Sequence, residues 1–156
     1  MRYFAYGSNL NKKHMKWRCK DAKDLGVYTL EGYQLTFRYY ADIIPVEGKS
    51  VIGGLWEITT EDEEKLDRYE GYPDLYKKEY QDDIMFYRMR DGTRELEFPA
   101  HGYLEGMLVG MEHFELSPIE TLNQNLGNPP IQNRSVRKDQ VEVSIQLIAE
   151  SLGLEL

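Results

Sequence analysis

Glu70 closes the stretch "LDRYEG", directly ahead of Gly71. The surrounding "TTEDEEKLDRYEG" reads as one short helix. Thr60 caps its backbone, Glu63 completes a capping box, and Gly71 supplies a left-handed stop. That puts Glu70 in the last turn, at the negative end of the helix dipole, where Lys or Arg is favoured. Burial against Tyr69 and Tyr72 would disfavour its ionised form further, so its pKa is expected to rise. A carboxyl tuned upward can carry a proton near neutral pH. The plain alternative is an exposed Glu tolerated in an acid-rich helix.

The second chemically suggestive place is Gly7-Ser8-Asn9, in "YGSNL", straight after an apolar run. A turn of such residues can aim several backbone N–H groups at one point, forming a cradle for a carboxylate or an oxyanion. It reads equally as an ordinary strand-to-helix turn with Ser8 or Asn9 as N-cap. Ser8 is a poor nucleophile, because no His is placed by sequence to activate it. His14, His101 and His113 have no metal-ligand spacing among themselves or with Cys19. Phosphate-loop, nucleophile-elbow and dinucleotide motifs are absent, so neither a metal nor a nucleotide cofactor is expected.

Strands must position both places. "RYFAY" reads as an N-terminal strand, "GVYTL" and "YQLTFRYY" as two more around "EGY", and "VIGGLWEI" as a fourth. The paired glycines in the last suggest a bulge or a close backbone approach. "YQDDIMFYRMR" and "TRELEFPAHGYL" flank Asp91-Gly92, a strong hairpin signal, with Pro99 marking an edge or a bulge. "NKKHMKWRCK" has a weak helical pattern. "SPIETLNQNLGNPP" reads as a helix with Ser117 at N-cap, Pro118 at N1, Glu120 closing a box and Gly127 ending it. Val141, Ile145, Ile148 and Leu152 recur at helical spacing before Gly153. The fold class is therefore α+β: a small, partly closed, mostly antiparallel barrel with flanking helices.

A length of 156 residues suits one domain, 1–156, in which 114–156 reads as a helical C-terminal segment. A formal charge of -8 opposes binding to nucleic acid or anionic membranes. The basic clusters "NKKHMKWRCK" and "NRSVRK" read as solvated faces. No apolar run reaches membrane-spanning length, no signal peptide is evident, and the single cysteine excludes an internal disulfide; a cytoplasmic location is expected. Twelve tyrosines against five phenylalanines imply that some line a polar cavity, since each hydroxyl needs a partner.

"YGSNL", "ADIIPVEGKSVIGGLWEI", "LDRYEGYPDLYKKEY" and "AHGYL", in that order, resemble the gamma-glutamyl cyclotransferase superfamily over about the first 110 residues. The resemblance implies a small barrel-like fold whose loop, Tyr6, Gly7, Ser8, Asn9 and Leu10, binds a gamma-glutamyl moiety through backbone amides. It implies that Glu70 is the catalytic glutamate and that Tyr103, in a late strand, lines the pocket. The implied reaction releases 5-oxoproline and a free amine or amino acid from a small gamma-glutamyl substrate, without a cofactor.

His101 and Glu105 flank Tyr103 where family members often carry aromatic residues. Glu105 could favour a cationic leaving amine, or could simply face solvent. Two rivals stand beside the enzyme reading. One is a non-catalytic binding module of the same fold, and the other is an interaction protein using its C-terminal helices.

Overall fold

The computed structural model describes residues 1–156. Five strands, β1 (Arg2–Ala5), β2 (Lys23–Arg38), β3 (Tyr40–Glu57), β4 (Tyr76–Gln81) and β5 (Ile84–Met89), form one sheet ordered β2-β3-β1-β5-β4. Its helices are α1 (Lys12–Arg18), α2 (Thr60–Glu70), α3 (His101–His113), α4 (Pro118–Leu126) and α5 (Lys138–Leu152). β1 is the middle strand, antiparallel to β3 and parallel to β5. A strand covered on both faces reads as an unbroken apolar run, which accounts for buried Tyr3, Phe4 and Ala5.

The fold is α+β, but the expected partly closed barrel is an open mixed sheet. Its edge strands β2 and β4 approach each other only through side chains. Tyr33 donates to Glu79 Oε2 at 3.2 Å, and Gln81 Nε2 donates to the Glu31 carbonyl at 3.1 Å. No backbone ladder joins them, so the sheet curls without closing.

"GVYTL" and "YQLTFRYY" belong to one long strand, β2, rather than two. A register shift between Glu31 and Tyr33, around Gly32 at φ +85°, absorbs the irregularity as a bulge instead of ending the strand. The glycine pair in β3 does mark a close approach: a Cβ on Gly53 would overlap the Ala5 carbonyl, and one on Gly54 the Phe114 ring.

The hairpin expected at Asp91-Gly92 lies elsewhere. β4 and β5 join through Asp82-Asp83, both at positive φ (51° and 61°), as a twist-matching two-residue turn requires. After Asp91-Gly92 only Glu97 bridges to Arg38, and "AHGYL" opens helix α3. Buried Leu104, Met107, Leu108 and Met111 recur at three and four residues, a period visible only beyond the five residues read as a strand.

Helix α2 begins one residue earlier than expected. Thr59 is the N-cap and closes the box with Asp62, each bond 3.1 Å, while Gly71 ends the helix at φ +67°. Both Thr-x-x-acid pairs satisfy the pattern, and burial of Asp62 selects the first. Ser117 does stand at the N-cap of α4 ahead of Pro118, though its side chain makes no capping bond and no box forms with Glu120. Leu122, Val141 and Ile148 join the same apolar cluster as Phe4 and Phe86, so the helices after Phe114 pack on the sheet's own core. No helix is long and apolar enough to cross a membrane.

Candidate active site

Glu70 ends α2, and the chain reverses at Gly71, whose left-handed conformation a side chain would strain. Although the residue keeps partial exposure, its carboxyl is turned inward. Burial lifts its pKa from about 4.5 to about 7; the charge of Arg18 and a hydrogen bond from Asn9 oppose the rise without cancelling it. The enclosing groups differ from those expected: Tyr69 and Tyr72 remain 46% and 40% exposed. Tyr3, Tyr6, Tyr76, Tyr87 and Tyr103 line the chamber with Glu70 instead.

After β1 the chain passes through Gly7 into a 3-10 turn, Ser8–Leu10, then into α1, whose N-cap is Asn11 rather than Ser8 or Asn9. A Cβ on Gly7 would lie 2.9 Å from the Tyr103 hydroxyl and 3.0 Å from Ala41 Cβ. Glycine therefore allows Tyr103 to reach in from α3, where it accepts from the Ala41 amide at 3.1 Å. The Ser8 amide also faces that hydroxyl. Ser8 Oγ lies 3.2 Å from the Tyr69 hydroxyl.

The Leu10 amide is spent within the turn, donating to the Gly7 carbonyl at 3.1 Å, and its side chain is fully buried. Leu10 packs where a Cβ on Gly110 of α3 would sit, not along the chamber wall. It anchors the loop from behind the chamber.

Asn9 has a larger part than its place in the loop implied. Its Nδ2 donates to Glu70 Oε1 at 3.1 Å and to the Tyr3 hydroxyl at 2.9 Å. Arg18 Nη1 donates to its Oδ1 at 2.6 Å, and Trp56 donates to its carbonyl at 3.1 Å. A guanidinium can only donate, so Oδ1 must face Arg18 and both amide hydrogens must face Tyr3 and Glu70. Arg18 is itself stacked 3.5 Å from the Tyr69 ring centre.

The inner chamber holds about 20 Å³ of free space, roughly one water. It shares Ser8, Glu70, Tyr76 and Tyr103 with an outer cleft of about 240 Å³. Arg68 is the one charged side chain besides Glu70 lining that cleft, while Glu105 lines neither space. No three or more His, Cys, Asp or Glu side chains gather as metal ligands.

The arrangement thus unites Tyr6, Gly7, Ser8, Asn9, Glu70 and Tyr103 and leaves out Leu10. Sequence reading missed Tyr3, Tyr76 and Tyr87, for which the tyrosine surplus was the available signal. It also missed Arg18, hidden in a cluster that reads as a solvated face.

A protein-family model described as "Gamma-glutamyl cyclotransferase, AIG2-like" matches residues 3–116. The chain belongs to that family. A solved structure described as "Gamma-glutamyl cyclotransferase" superposes on it with a TM-score of 0.67 at 21% identity, covering 94% of this chain and 98% of that one. An uncharacterized protein from Homo sapiens gives 0.66 at 22%, covering 93% and 97%. YkqA from Bacillus subtilis gives 0.61 at 25%, covering 78% of this chain and 51% of that one. The first two likenesses necessarily take in much of the chain beyond residue 116, so the C-terminal helices share in their fold. No sequence match to a curated protein reaches significance. The matched span of the gamma-glutamyl cyclotransferase family model takes in the loop, Glu70 and Tyr103.

Proposed function

We propose that the protein converts a gamma-glutamyl amino acid or amine to 5-oxoproline and a free amine. The observation that carries the reading is Glu70: a carboxyl with a pKa of about 7, enclosed by tyrosines and adjoining the glycine loop. The substrate's own alpha-amine attacks its gamma-carbonyl carbon. One C–N bond forms, the carbonyl electron pair moves to oxygen, and Glu70 accepts the amine's proton. The oxyanion then collapses, the original amide C–N bond breaks, and Glu70 returns the proton to the departing amine. Nothing is consumed besides the substrate. Both reactants lie in one molecule, so the site has only to fold the chain into the attacking pose and move a proton.

The loop amide of Asn9, not consumed by the turn's own bonds, is suited to hold the substrate's alpha-carboxylate. The outer cleft receives the leaving group. Arg68 at its rim favours amines that carry a carboxylate over cationic ones, by about fivefold at most for so exposed a charge.

The test is incubation with a panel of gamma-glutamyl amino acids and gamma-glutamyl amines, beside Glu70→Gln, with 5-oxoproline quantified by mass spectrometry. Release that depends on Glu70 is expected. Binding without release from any panel member would replace this reading with the ligand-binding module.

A further inference from the structure

The five tyrosines around the chamber divide by where their hydroxyl protons go. Tyr6 donates to the Tyr87 carbonyl at 2.6 Å, Tyr76 to the Ala41 carbonyl at 2.7 Å, and Tyr87 to Asp67 Oδ1 at 2.7 Å. Those three protons are spent on the protein. Tyr3 and Tyr103 act only as acceptors toward protein groups, from Asn9 Nδ2 and from the Ala41 amide respectively. Tyr3 is 3% exposed and lines the chamber, so its O–H has no bulk solvent to donate to.

Two links run in one direction. The Arg18 guanidinium donates to Asn9 Oδ1, and the same carboxamide donates to the Tyr3 oxygen. Each link polarises the next, so a phenol that accepts from a charge-backed amide becomes a stronger donor itself. The chain begins at a positive charge and ends at an uncommitted O–H beside Glu70. Tyr3 stays neutral throughout, because burial, together with the nearby Glu70, holds its phenol far above the usual range. It can therefore donate without surrendering its proton.

The geometry points to Tyr3 as a further catalytic residue, its O–H donating to the oxyanion that develops on the gamma-carbonyl, with Arg18 and Asn9 as the positioning residues that aim it. This rests on the cyclotransferase reading. Asn9 then serves both halves of the reaction at once, one amide hydrogen directing the proton acceptor Glu70 and the other directing the oxyanion donor. The step adds no covalent chemistry: the phenol proton remains on Tyr3 while the charge on the substrate oxygen grows and disappears.

Tyr3→Phe keeps the ring and removes the donor. It is expected to lower kcat by about 10²- to 10³-fold with little change in KM. Arg18→Gln, which keeps a neutral donor, should lower kcat less, and its effect should shrink in the Tyr3→Phe background, since both act through one chain. A purely structural hydroxyl would instead lower Tm in Tyr3→Phe and leave kcat and the KM split unmoved; that result overturns the inference.

A second readout needs no turnover. The infrared carbonyl stretch of 13C-labelled 5-oxoproline bound to the wild type should move to higher frequency in Tyr3→Phe, as a hydrogen bond to the lactam oxygen is lost. A carbonyl band unmoved by Tyr3→Phe, with binding retained, also overturns the inference. A band that moves in a protein giving no Glu70-dependent release supports Tyr3 as the carbonyl donor and removes the cyclotransferase reading alone.

Discussion

Glu70, at the end of α2, and Glu79, on the edge strand β4, are both partly buried glutamates with an arginine nearby, and their protonation behaves oppositely. Glu79 meets Arg88 directly at 2.6 Å and Lys77 at 3.3 Å and accepts from Tyr33; despite partial burial, these partners hold its carboxyl below the ordinary range. Glu70 makes no direct bond to its arginine, which is linked to it through the Asn9 carboxamide, and burial raises it to about 7. A neutral amide set between carboxylate and cation orients the acid without fixing its charge. That is the difference between a structural ion pair and a group free to take up and release a proton near neutrality.

Substitution at the two acids is the most direct way to break this contrast. Glu70→Gln should lower turnover by about 10²- to 10⁴-fold with the fold retained, while Glu79→Gln should leave turnover near normal; 5-oxoproline release measures both. In the wild type kcat/KM should fall as pH drops below about 7, because only the ionised Glu70 accepts a proton. A pH-rate profile lacking that limb would remove Glu70 as the base.

Gly7→Ala tests the wall opposite Glu70. The new methyl meets the Tyr103 hydroxyl at 2.9 Å, so Tyr103 must shift, and a loss of about 10- to 100-fold in kcat/KM is expected. Unchanged kinetics would mean that Tyr103 does not shape the bound substrate.

Stability against pH sharpens the comparison further, because the signs are opposite. Glu70 binds its proton more tightly folded than unfolded, so its cost to stability grows as pH rises from about 4.5 to about 7 and stays above that. Glu70→Gln should therefore gain on the wild type over that window, by on the order of 2–3 kcal/mol. Glu79 holds its proton less tightly when folded, so its contribution is present above the unfolded carboxyl range and is lost as pH falls through the folded value. Glu79→Gln should cost about 1–3 kcal/mol at neutral pH, since it also strips buried Arg88 of its partner, and less in acid. Denaturant titrations at pH 5 and 8 measure the Glu70 difference, and a further titration at pH 3 measures the Glu79 one.

The smallest effect concerns the cleft: Arg68→Gln should reduce the preference for carboxylate-bearing leaving groups by about fivefold at most. An unchanged ranking across the panel would place leaving-group selection elsewhere.

Much of the fold was legible wherever a signal is local. Gly71 as a helix stop, the helix before Gly153, and the close approach at Gly53-Gly54 follow from single positions or short periods. The same locality explains the errors. Asp91-Gly92 carries hairpin chemistry but lacks a second strand, and "AHGYL" shows its helical period only over the thirteen residues of α3. The one long strand β2 was read as two because Gly32 resembles a break when its partner strand is out of view.

From sequence alone came a glutamate at a helix end, a glycine loop after an N-terminal strand, and the order of motifs that marks the family. Tertiary structure alone decided which tyrosines enclose Glu70, that Leu10 faces the core, and that Asn9 turns its amide hydrogens toward Tyr3 and Glu70. The reason is the range of the forces involved. Caps and turns are set by neighbours within a few residues. Burial and hydrogen-bond direction are set by groups such as Asn9 and Glu70, 61 positions apart in the chain and 3.1 Å apart in space.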